Sequence, residues 1–162
     1  KYGVVLVANT PTTKDEARKL YEKIGVIRHT FYGGLWTLTS DTASARNDTA
    51  YSNTKLNSHT DCTYMIDPPG LMVFTCMKAG EVGGESTLVD GFSVADEMER
   101  TNAEAFGYFS EKSFDYFSYD AGICFKACGP VFKTAGEGKV IQVRHNDYDR
   151  GPLNALSCQE VE

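Results

Sequence analysis

The chain has 162 residues, of which 41% are hydrophobic and 23% are charged, and its formal net charge is -6. This balance is typical of a globular protein with a hydrophobic core of its own. An acidic chain does not offer the clustered basic face that nucleic-acid binding requires, and no apolar run approaches the roughly 20 residues that span a bilayer. We therefore expect neither a nucleic-acid partner nor a membrane.

The first part of the chain predicts a strand, a helix and a long loop, in that order. Residues 2–9 form an apolar run that is typical of a buried strand. Residues 14–24 place their apolar side chains at helical spacing, with a solvated opposite face. Residues 36–58 are rich in Thr, Ser and Asn and show little periodicity, which is typical of a long functional loop.

The second part of the chain predicts short strands around a helical region. Apolar runs at 71–77 and 86–90 indicate buried strands, and residues 92–106 indicate an amphipathic helix with a break near Thr101. Short apolar runs separated by glycine follow, of which 138–144 is the clearest strand. Many short strands with two helices favour a mainly β fold with flanking helices, a mostly antiparallel sandwich of the jelly-roll kind.

The five cysteines predict free thiols in a reducing compartment. Their odd number and irregular spacing argue against a disulfide framework. Cys124 and Cys128 form a C-x3-C pair, which is either half of a zinc site or, as we favour, a pair of core thiols.

Residues 57–64, N-S-H-T-D-C-T-Y, place His59 and Asp61 two positions apart. In a strand, residues i and i+2 point to the same face, so an imidazole and a carboxylate at this spacing can hold one metal ion from the same side. Non-haem Fe(II) oxygenases use two His and one carboxylate in this way and leave three coordination positions open. The alternative is a pair of polar residues on a wet surface, and the spacing alone leaves both interpretations open.

Six motifs follow one another along the chain: R-H-T-F-Y-G-G-L-W (28–36), D-T-A-Y (48–51), H-T-D-C-T-Y (59–64), P-P-G-L-M-V-F (68–74), G-G-E-S-T-L-V-D-G-F (83–92) and N-D-Y-D-R (146–150). Together they resemble the carnitine-biosynthesis branch of the Fe(II)/2-oxoglutarate-dependent oxygenases. The resemblance implies a double-stranded β-helix (jelly roll), in agreement with the sandwich above. It also implies hydroxylation of N6,N6,N6-trimethyllysine at carbon 3, the first step of carnitine biosynthesis. The alternatives are hydroxylation of gamma-butyrobetaine to carnitine and a non-catalytic remnant that keeps only the substrate-binding residues.

The resemblance assigns the cofactor-binding residues one position at a time. His59 and Asp61 correspond to two of the three Fe(II) ligands and are thus the catalytic pair. Ser86 matches the position of a hydroxyl that helps to hold 2-oxoglutarate, with Thr87 as the near alternative. O2 and ascorbate, which keeps the iron reduced, complete the set that the resemblance implies.

The substrate-binding residues are assigned in the same way. Tyr32, Trp36 and Tyr51 correspond to aromatic residues that surround a trimethylammonium group, which donates no hydrogen bond and is held by π faces; the alternative is that all three are core aromatics. Asp48 either pairs with the α-amino group that trimethyllysine has and gamma-butyrobetaine lacks, or is a solvated loop carboxylate. Asn146 is expected to contact the substrate as well.

The family pattern also requires a second His and an Arg, in an H-G-R-like motif further downstream. Because that motif is absent before Glu162, we expect residues 1–162 to form part of a catalytic domain that lacks the distal His and Arg strands and is incomplete at the C-terminus. We do not expect His145 to be the third iron ligand. The resemblance allows a homodimer and implies the mitochondrial matrix, with the cytoplasm as the alternative.

Overall fold

The computed structural model describes residues 3–39, 54–80, 82–120 and 122–153. The chain divides into two compact units. Unit 1 comprises Lys1–Thr54 and Pro69–Thr87, and unit 2 comprises Lys55–Pro68 and Leu88–Glu162. Among the helices of the described ranges, none combines the length and apolar character that a membrane crossing requires.

Helix α1 in unit 1 spans Lys14–Ile24, the bounds that the apolar spacing predicts. Thr13 caps its N-terminus, because the Thr13 side chain accepts a hydrogen bond from the Glu16 N–H. Acidic residues in the first turn complement the helix dipole. On the helix, the Tyr21 hydroxyl lies 2.6 Å from Oγ1 of Thr75, which ties α1 to a distant part of unit 1.

The helices of unit 2 are α2 (Gly91–Thr101) and α3 (Ala103–Glu111). Asn102 separates them, with φ of -150° and ψ of 73°, outside the helical region. Its N–H donates to the Met98 carbonyl at the end of α2, and its side chain accepts from the Ala105 N–H at the start of α3. The predicted break near residue 101 is therefore confirmed, and one asparagine caps both helices.

The strands of unit 2 form two antiparallel hairpins, β1 (Phe114–Asp120) with β2 (Ile123–Gly129) and β3 (Phe132–Ala135) with β4 (Lys139–Val143). The β3–β4 pairing shifts register between Lys133 and Thr134. Strand β4 confirms the strand predicted for residues 138–144. The two hairpins are separate two-stranded sheets within the described residues.

The core of unit 2 lies between α3 and the first strand of each hairpin. The rings of Phe106 and Phe132 stack with centroids 5.7 Å apart, and those of Phe109 and Phe114 stack at 6.1 Å. Ala95 on α2 is fully buried. Aromatic side chains thus supply most of the apolar area that holds the helices on the strands.

Three of the predicted strands are wrong. The described residues of the runs at 2–9, 71–77 and 86–90 are assigned to no strand, and most of their large apolar side chains are exposed. An apolar run predicts burial, but it does not by itself determine a strand. A strand forms only where a partner segment supplies backbone hydrogen bonds. Short antiparallel strands with helices are present, as expected, whereas the double-stranded β-helix remains a prediction.

Candidate metal centre

His59 and Asp61 meet in unit 2, although their segment is irregular rather than a strand. Nε2 of His59 lies 3.3 Å from Oδ1 of Asp61, and the two side chains are 25% and 42% exposed. The imidazole and the carboxylate therefore face one another at a site that solvent can reach. The strand predicted here is wrong, but the predicted same-side placement of the two groups is correct.

The tautomer of His59 follows from its other ring nitrogen. Nδ1 lies 2.6 Å from the Asn57 carbonyl oxygen. Because a carbonyl only accepts hydrogen bonds, Nδ1 must carry the proton, and neutral His59 presents the lone pair of Nε2 towards Asp61. Two acceptors then face each other, and a metal ion between them would relieve their repulsion. A backbone carbonyl on the distal nitrogen is also the usual second contact of a metal-binding histidine.

Thr60, between the two candidate ligands, is fixed to the residue that follows Arg144. The Thr60 N–H donates to the His145 carbonyl at 2.7 Å, and the His145 N–H donates to Thr60 Oγ1 at 2.9 Å. This double contact holds the backbone at the centre of the H-x-D motif. His145 therefore acts here through its backbone, and its side chain is exposed.

A polar network continues from Thr60 to Asp149. Nδ2 of Asn146 donates to Oδ2 of Asp149 at 3.0 Å and reaches the Thr60 carbonyl at 3.5 Å. Oδ1 of Asn146 accepts from the Tyr148 N–H at 2.9 Å. The hydroxyl of Thr63, which is fully buried, donates to Oδ2 of Asp149 at 2.7 Å. Asn146 thus lies beside the motif, as expected, with its amide engaged in intramolecular bonds, and its contact with substrate remains a prediction.

Arg144 and Tyr116 form the buried part of the same network. The Arg144 guanidinium donates to backbone carbonyls of the segment that follows Asp61, and it lies 5.7 Å from the centroid of the Tyr116 ring. The Tyr116 hydroxyl donates to the Arg144 carbonyl at 3.1 Å. Burial raises the pKa of Tyr116, and the positive charge of Arg144 partly offsets that rise.

The sequence interpretation did not include Arg144, Thr60, Thr63 or Asp149. Their contacts join positions about 80 residues apart along the chain, and no local pattern encodes such pairs. The available signal was the run of polar residues directly after the strand at 138–144. Buried polar residues such as Arg144 and Asn146 need internal partners, and the H-x-D segment supplies them.

Two of the predicted cage aromatics come together in unit 1. The rings of Tyr32 and Trp36 stack with centroids 5.1 Å apart and planes inclined by 21°. A tight turn places them: the Thr30 and Gly33 backbones exchange hydrogen bonds, with Gly33 at φ of +95°. A Cβ at Gly34 would lie 2.8 Å from Nε2 of His29, so a larger residue there would displace the exposed His29 ring. Since the two rings pack face to face, a cation would contact an outer ring face rather than the space between them.

The remaining predicted site residues lie either in exposed irregular segments or outside the described residues. Ser86 and Thr87 are exposed, in unit 1, and lie outside helices and strands. Asp48 and Tyr51 lie outside the described residues. Across the four described ranges, no group of three or more His, Cys, Asp and Glu residues is arranged to hold a metal ion.

The cysteines differ from the core thiols that we expected. Cys62 is buried, but Cys76, Cys124 and Cys128 are free and exposed. Cys124 and Cys128 lie on the outward face of β2, where side chains alternate between the core and solvent. The core interpretation is therefore wrong for Cys124 and Cys128, because alternation on a two-stranded sheet leaves one face uncovered.

Comparison with known proteins places these features in a family. The family described as "Taurine catabolism dioxygenase TauD, TfdA family" matches residues 1–150. Trimethyllysine dioxygenase, mitochondrial, of Homo sapiens is 38% identical over 99% of this chain and 39% of its own length. Trimethyllysine dioxygenase of Meyerozyma guilliermondii is 37% identical over 96% of this chain and 39% of its own length.

Gamma-butyrobetaine dioxygenase of Homo sapiens is more distant, at 28% identity over 100% of this chain and 42% of its own length. The chain thus spans about two fifths of the length of these curated relatives.

Proposed function

The chain belongs to the TauD/TfdA dioxygenase family, and on that premise we propose that it is part of an Fe(II)- and 2-oxoglutarate-dependent oxygenase. The proposed reaction is hydroxylation of N6,N6,N6-trimethyllysine at carbon 3, the first step of carnitine biosynthesis. The observation that carries the proposal is the His59–Asp61 pair, with Nε2 and Oδ1 3.3 Å apart and Nδ1 engaged by the Asn57 carbonyl. The similarity to relatives named trimethyllysine dioxygenase supports the choice of substrate.

The donor atoms fit the proposed metal. Two neighbouring ligands of an octahedral ion, each at about 2.1 Å, are roughly 3 Å apart, close to the observed separation of Nε2 and Oδ1. Imidazole and carboxylate are the donors that non-haem Fe(II) sites use. His59 and Asp61 would hold Fe(II), which with bound 2-oxoglutarate supplies the activation of O2. Overall, trimethyllysine, 2-oxoglutarate and O2 become hydroxytrimethyllysine, succinate and CO2.

The contribution of the protein is to bind and orient the reactants. We propose that the Ser86 hydroxyl, or that of Thr87, donates to a carboxylate of 2-oxoglutarate. The aromatic residues hold the trimethylammonium group by their π faces, and polar residues select the amino-acid end of the substrate. These substrate-binding residues are Tyr32, Trp36, Tyr51, Asp48 and Asn146.

The wider proposals follow from the same assignment. Residues 1–162 form part of one catalytic domain with a double-stranded β-helix fold, and the third protein ligand and the Arg that binds 2-oxoglutarate lie outside the described residues. Ascorbate keeps the iron reduced, and the protein acts in the mitochondrial matrix, with the cytoplasm as the alternative. The stacked pair of Tyr32 and Trp36 supports the binding of a trimethylammonium compound.

The test is release of CO2 from labelled 2-oxoglutarate, with Fe(II), ascorbate and trimethyllysine. It compares the 162-residue chain, the full-length product of its transcript, and the full-length variants His59→Ala and His29→Ala. We expect release that depends on trimethyllysine, is lost in His59→Ala and is retained in His29→Ala. Full activity without His59 would refute the proposed metal centre. Binding of trimethyllysine without any CO2 release would instead identify a non-catalytic binding protein.

The second candidate substrate is gamma-butyrobetaine, which the similarity to gamma-butyrobetaine dioxygenase favours. Asp48 separates the two candidates, because only trimethyllysine offers an α-amino group to pair with its carboxylate. We expect Asp48→Asn to lower the preference for trimethyllysine over gamma-butyrobetaine, measured as a ratio of kcat/KM, by roughly tenfold, the equivalent of one charge-assisted hydrogen bond. An unchanged ratio would remove Asp48 from the substrate site, and faster turnover of gamma-butyrobetaine by the unaltered protein would favour the second candidate.

A further inference from the structure

We infer that Arg144 is a positioning residue for the metal centre. Its side chain keeps His59 and Asp61 next to each other by fixing the chain on the C-terminal side of the motif. The inference rests on the proposed function, since it takes His59 and Asp61 as metal ligands. Arg144 follows β4 directly, and its N–H donates to the Val131 carbonyl at 2.8 Å, which extends the β3–β4 pairing by one residue. Its backbone is thus part of a hairpin, and its side chain is free to serve another segment.

The guanidinium of Arg144 binds three backbone carbonyls within four consecutive residues. Nη1 donates to the carbonyl oxygens of Thr63 at 2.5 Å and Met65 at 3.1 Å, and Nη2 donates to that of Ile66 at 3.3 Å. Arg144 is only 6% exposed, so these bonds satisfy a charged group inside the protein, where unpaired donors are costly. The three carbonyls must therefore stay where they are for the charge to remain buried.

The segment that Arg144 holds is a chain reversal that begins one residue after Asp61. Cys62 has φ of +57°, in the left-handed region that side chains other than glycine rarely adopt. The Met65 N–H donates to the Cys62 carbonyl at 3.0 Å, which closes the turn. Such a conformation persists where the surroundings impose it, and the Arg144 side chain is the buried group that contacts both sides of this turn.

The residues next to Arg144 hold the other side of Asp61. His145 exchanges backbone and hydroxyl hydrogen bonds with Thr60, and the amide of Asn146 approaches the Thr60 carbonyl. Residues 144–146 therefore fix the chain immediately before and immediately after Asp61. Displacement of Arg144 would free the turn and let Oδ1 move away from Nε2 of His59.

The chemistry favours arginine at this position. A planar guanidinium directs several N–H groups in fixed directions, whereas a lysine ammonium is a compact point donor. Arg144→Lys keeps the positive charge next to the Tyr116 ring but replaces the two donor nitrogens, Nη1 and Nη2, with one. Arg144→Lys therefore tests the planar arrangement of the guanidinium N–H donors and not the positive charge.

The experiment measures Co(II) binding by the full-length product of the transcript, from the visible absorption of the bound ion, together with the denaturant midpoint of each variant. We expect Arg144→Lys to weaken Co(II) affinity by roughly tenfold, as replacement of groups behind metal ligands generally does. Arg100→Lys is the matched control, since Arg100 is exposed on α2 and pairs with Glu97, and we expect no change in its affinity. An Arg144→Lys affinity within twofold of the unaltered chain would overturn the inference.

Tyr116→Phe separates positioning from general stability. It removes a buried hydrogen bond to the Arg144 carbonyl but leaves the guanidinium and its three carbonyls intact. We expect Tyr116→Phe to lower the denaturant midpoint and retain Co(II) affinity. If Co(II) affinity falls in proportion to the denaturant midpoint in both Arg144→Lys and Tyr116→Phe, Arg144 is a structural residue only. The same conclusion follows if Arg144→Lys does not fold and Tyr116→Phe loses Co(II) affinity.

A second readout needs no metal and separates failure of this inference from failure of the proposed function. Nitrogen-15 NMR of neutral His59 reports which ring nitrogen carries the proton. We expect the Nδ1–H form in the unaltered chain, imposed by the Asn57 carbonyl, and a mixture of both forms in Arg144→Lys. Dependence on Arg144 without Co(II) binding would support positioning and refute the metal centre. A tautomer unaffected by Arg144→Lys would refute positioning whatever the metal result.

Discussion

Thr60 shows how single side chains create the candidate site. It lies between His59 and Asp61, and its backbone and hydroxyl both bond to His145. The Thr60 hydroxyl accepts from the His145 N–H, and Nε2 of His59 and Oδ1 of Asp61, on either side of Thr60 in the sequence, lie 3.3 Å apart. The spacing of the two candidate ligands is visible in the sequence, whereas the identity of the residue that holds them is not.

Tyr116→Phe tests the buried network at the scale of one hydroxyl group. Tyr116 is 1% exposed and its hydroxyl donates to the Arg144 carbonyl. Loss of that bond leaves a buried acceptor with one partner fewer, so we expect the free energy of unfolding to fall by about 1 kcal/mol. Urea unfolding at neutral pH measures the difference. No measurable loss would mean that the carbonyl finds another donor.

The stability difference between the unaltered chain and Tyr116→Phe should depend on pH. Burial raises the pKa of Tyr116 above its ordinary value of 10.0. A raised pKa contributes stability that is fully present below the pKa of the unfolded chain and is lost as the pH rises through the folded value. We therefore expect the stability difference between the unaltered chain and Tyr116→Phe to narrow as the pH rises above 10.0, in urea unfolding at matched salt. A constant difference would indicate that the phenol is not the group that titrates.

At the scale of elements, helices were predicted well and strands poorly. Helix α1 has the expected bounds and the break before α3 falls where it was expected, because caps and helical spacing are local signals. The strand β4 was found, but three other apolar runs have no strand partner in the described residues. Pairing joins residues that are distant in sequence, and no single run carries that information. The same distinction explains why the His59–Asp61 pair was found and Arg144 was missed.

Asn102 is the test at this scale, because it serves two helices at once. Its side chain accepts a hydrogen bond from the Ala105 N–H at 3.1 Å. We expect Asn102→Ala to lower the free energy of unfolding by about 1 kcal/mol, the usual cost of removing an N-cap acceptor. Asn102→Ser, which keeps an acceptor, should retain most of the stability in the same denaturant titration. Equal losses in both variants would show that the side-chain oxygen is not what holds the start of α3.

At the scale of the whole molecule, unit 1 exposes many of its large apolar side chains. Leu6 is 95% exposed, and Val5, Leu71 and Phe74 are exposed as well. They lie in segments whose composition predicts buried strands. Clustered exposed apolar residues in soluble proteins mark contact surfaces, whereas scattered ones carry no such meaning. The apolar composition of these segments therefore identifies side chains that are suited to burial. It does not determine whether the chain buries them.

A pair of lysine substitutions in unit 1 distinguishes the two descriptions of residues 2–9. Because Leu6 is exposed, Leu6→Lys should change the free energy of unfolding by less than about 0.5 kcal/mol, as other surface substitutions do. Ala17, by contrast, is 6% exposed on α1. Ala17→Lys should lower the free energy of unfolding several times more than Leu6→Lys does, because it forces a charge into a packed site. Denaturant unfolding of both variants gives the comparison. A loss in Leu6→Lys as large as that in Ala17→Lys would mean that Leu6 is buried in solution, as the apolar pattern of residues 2–9 predicts.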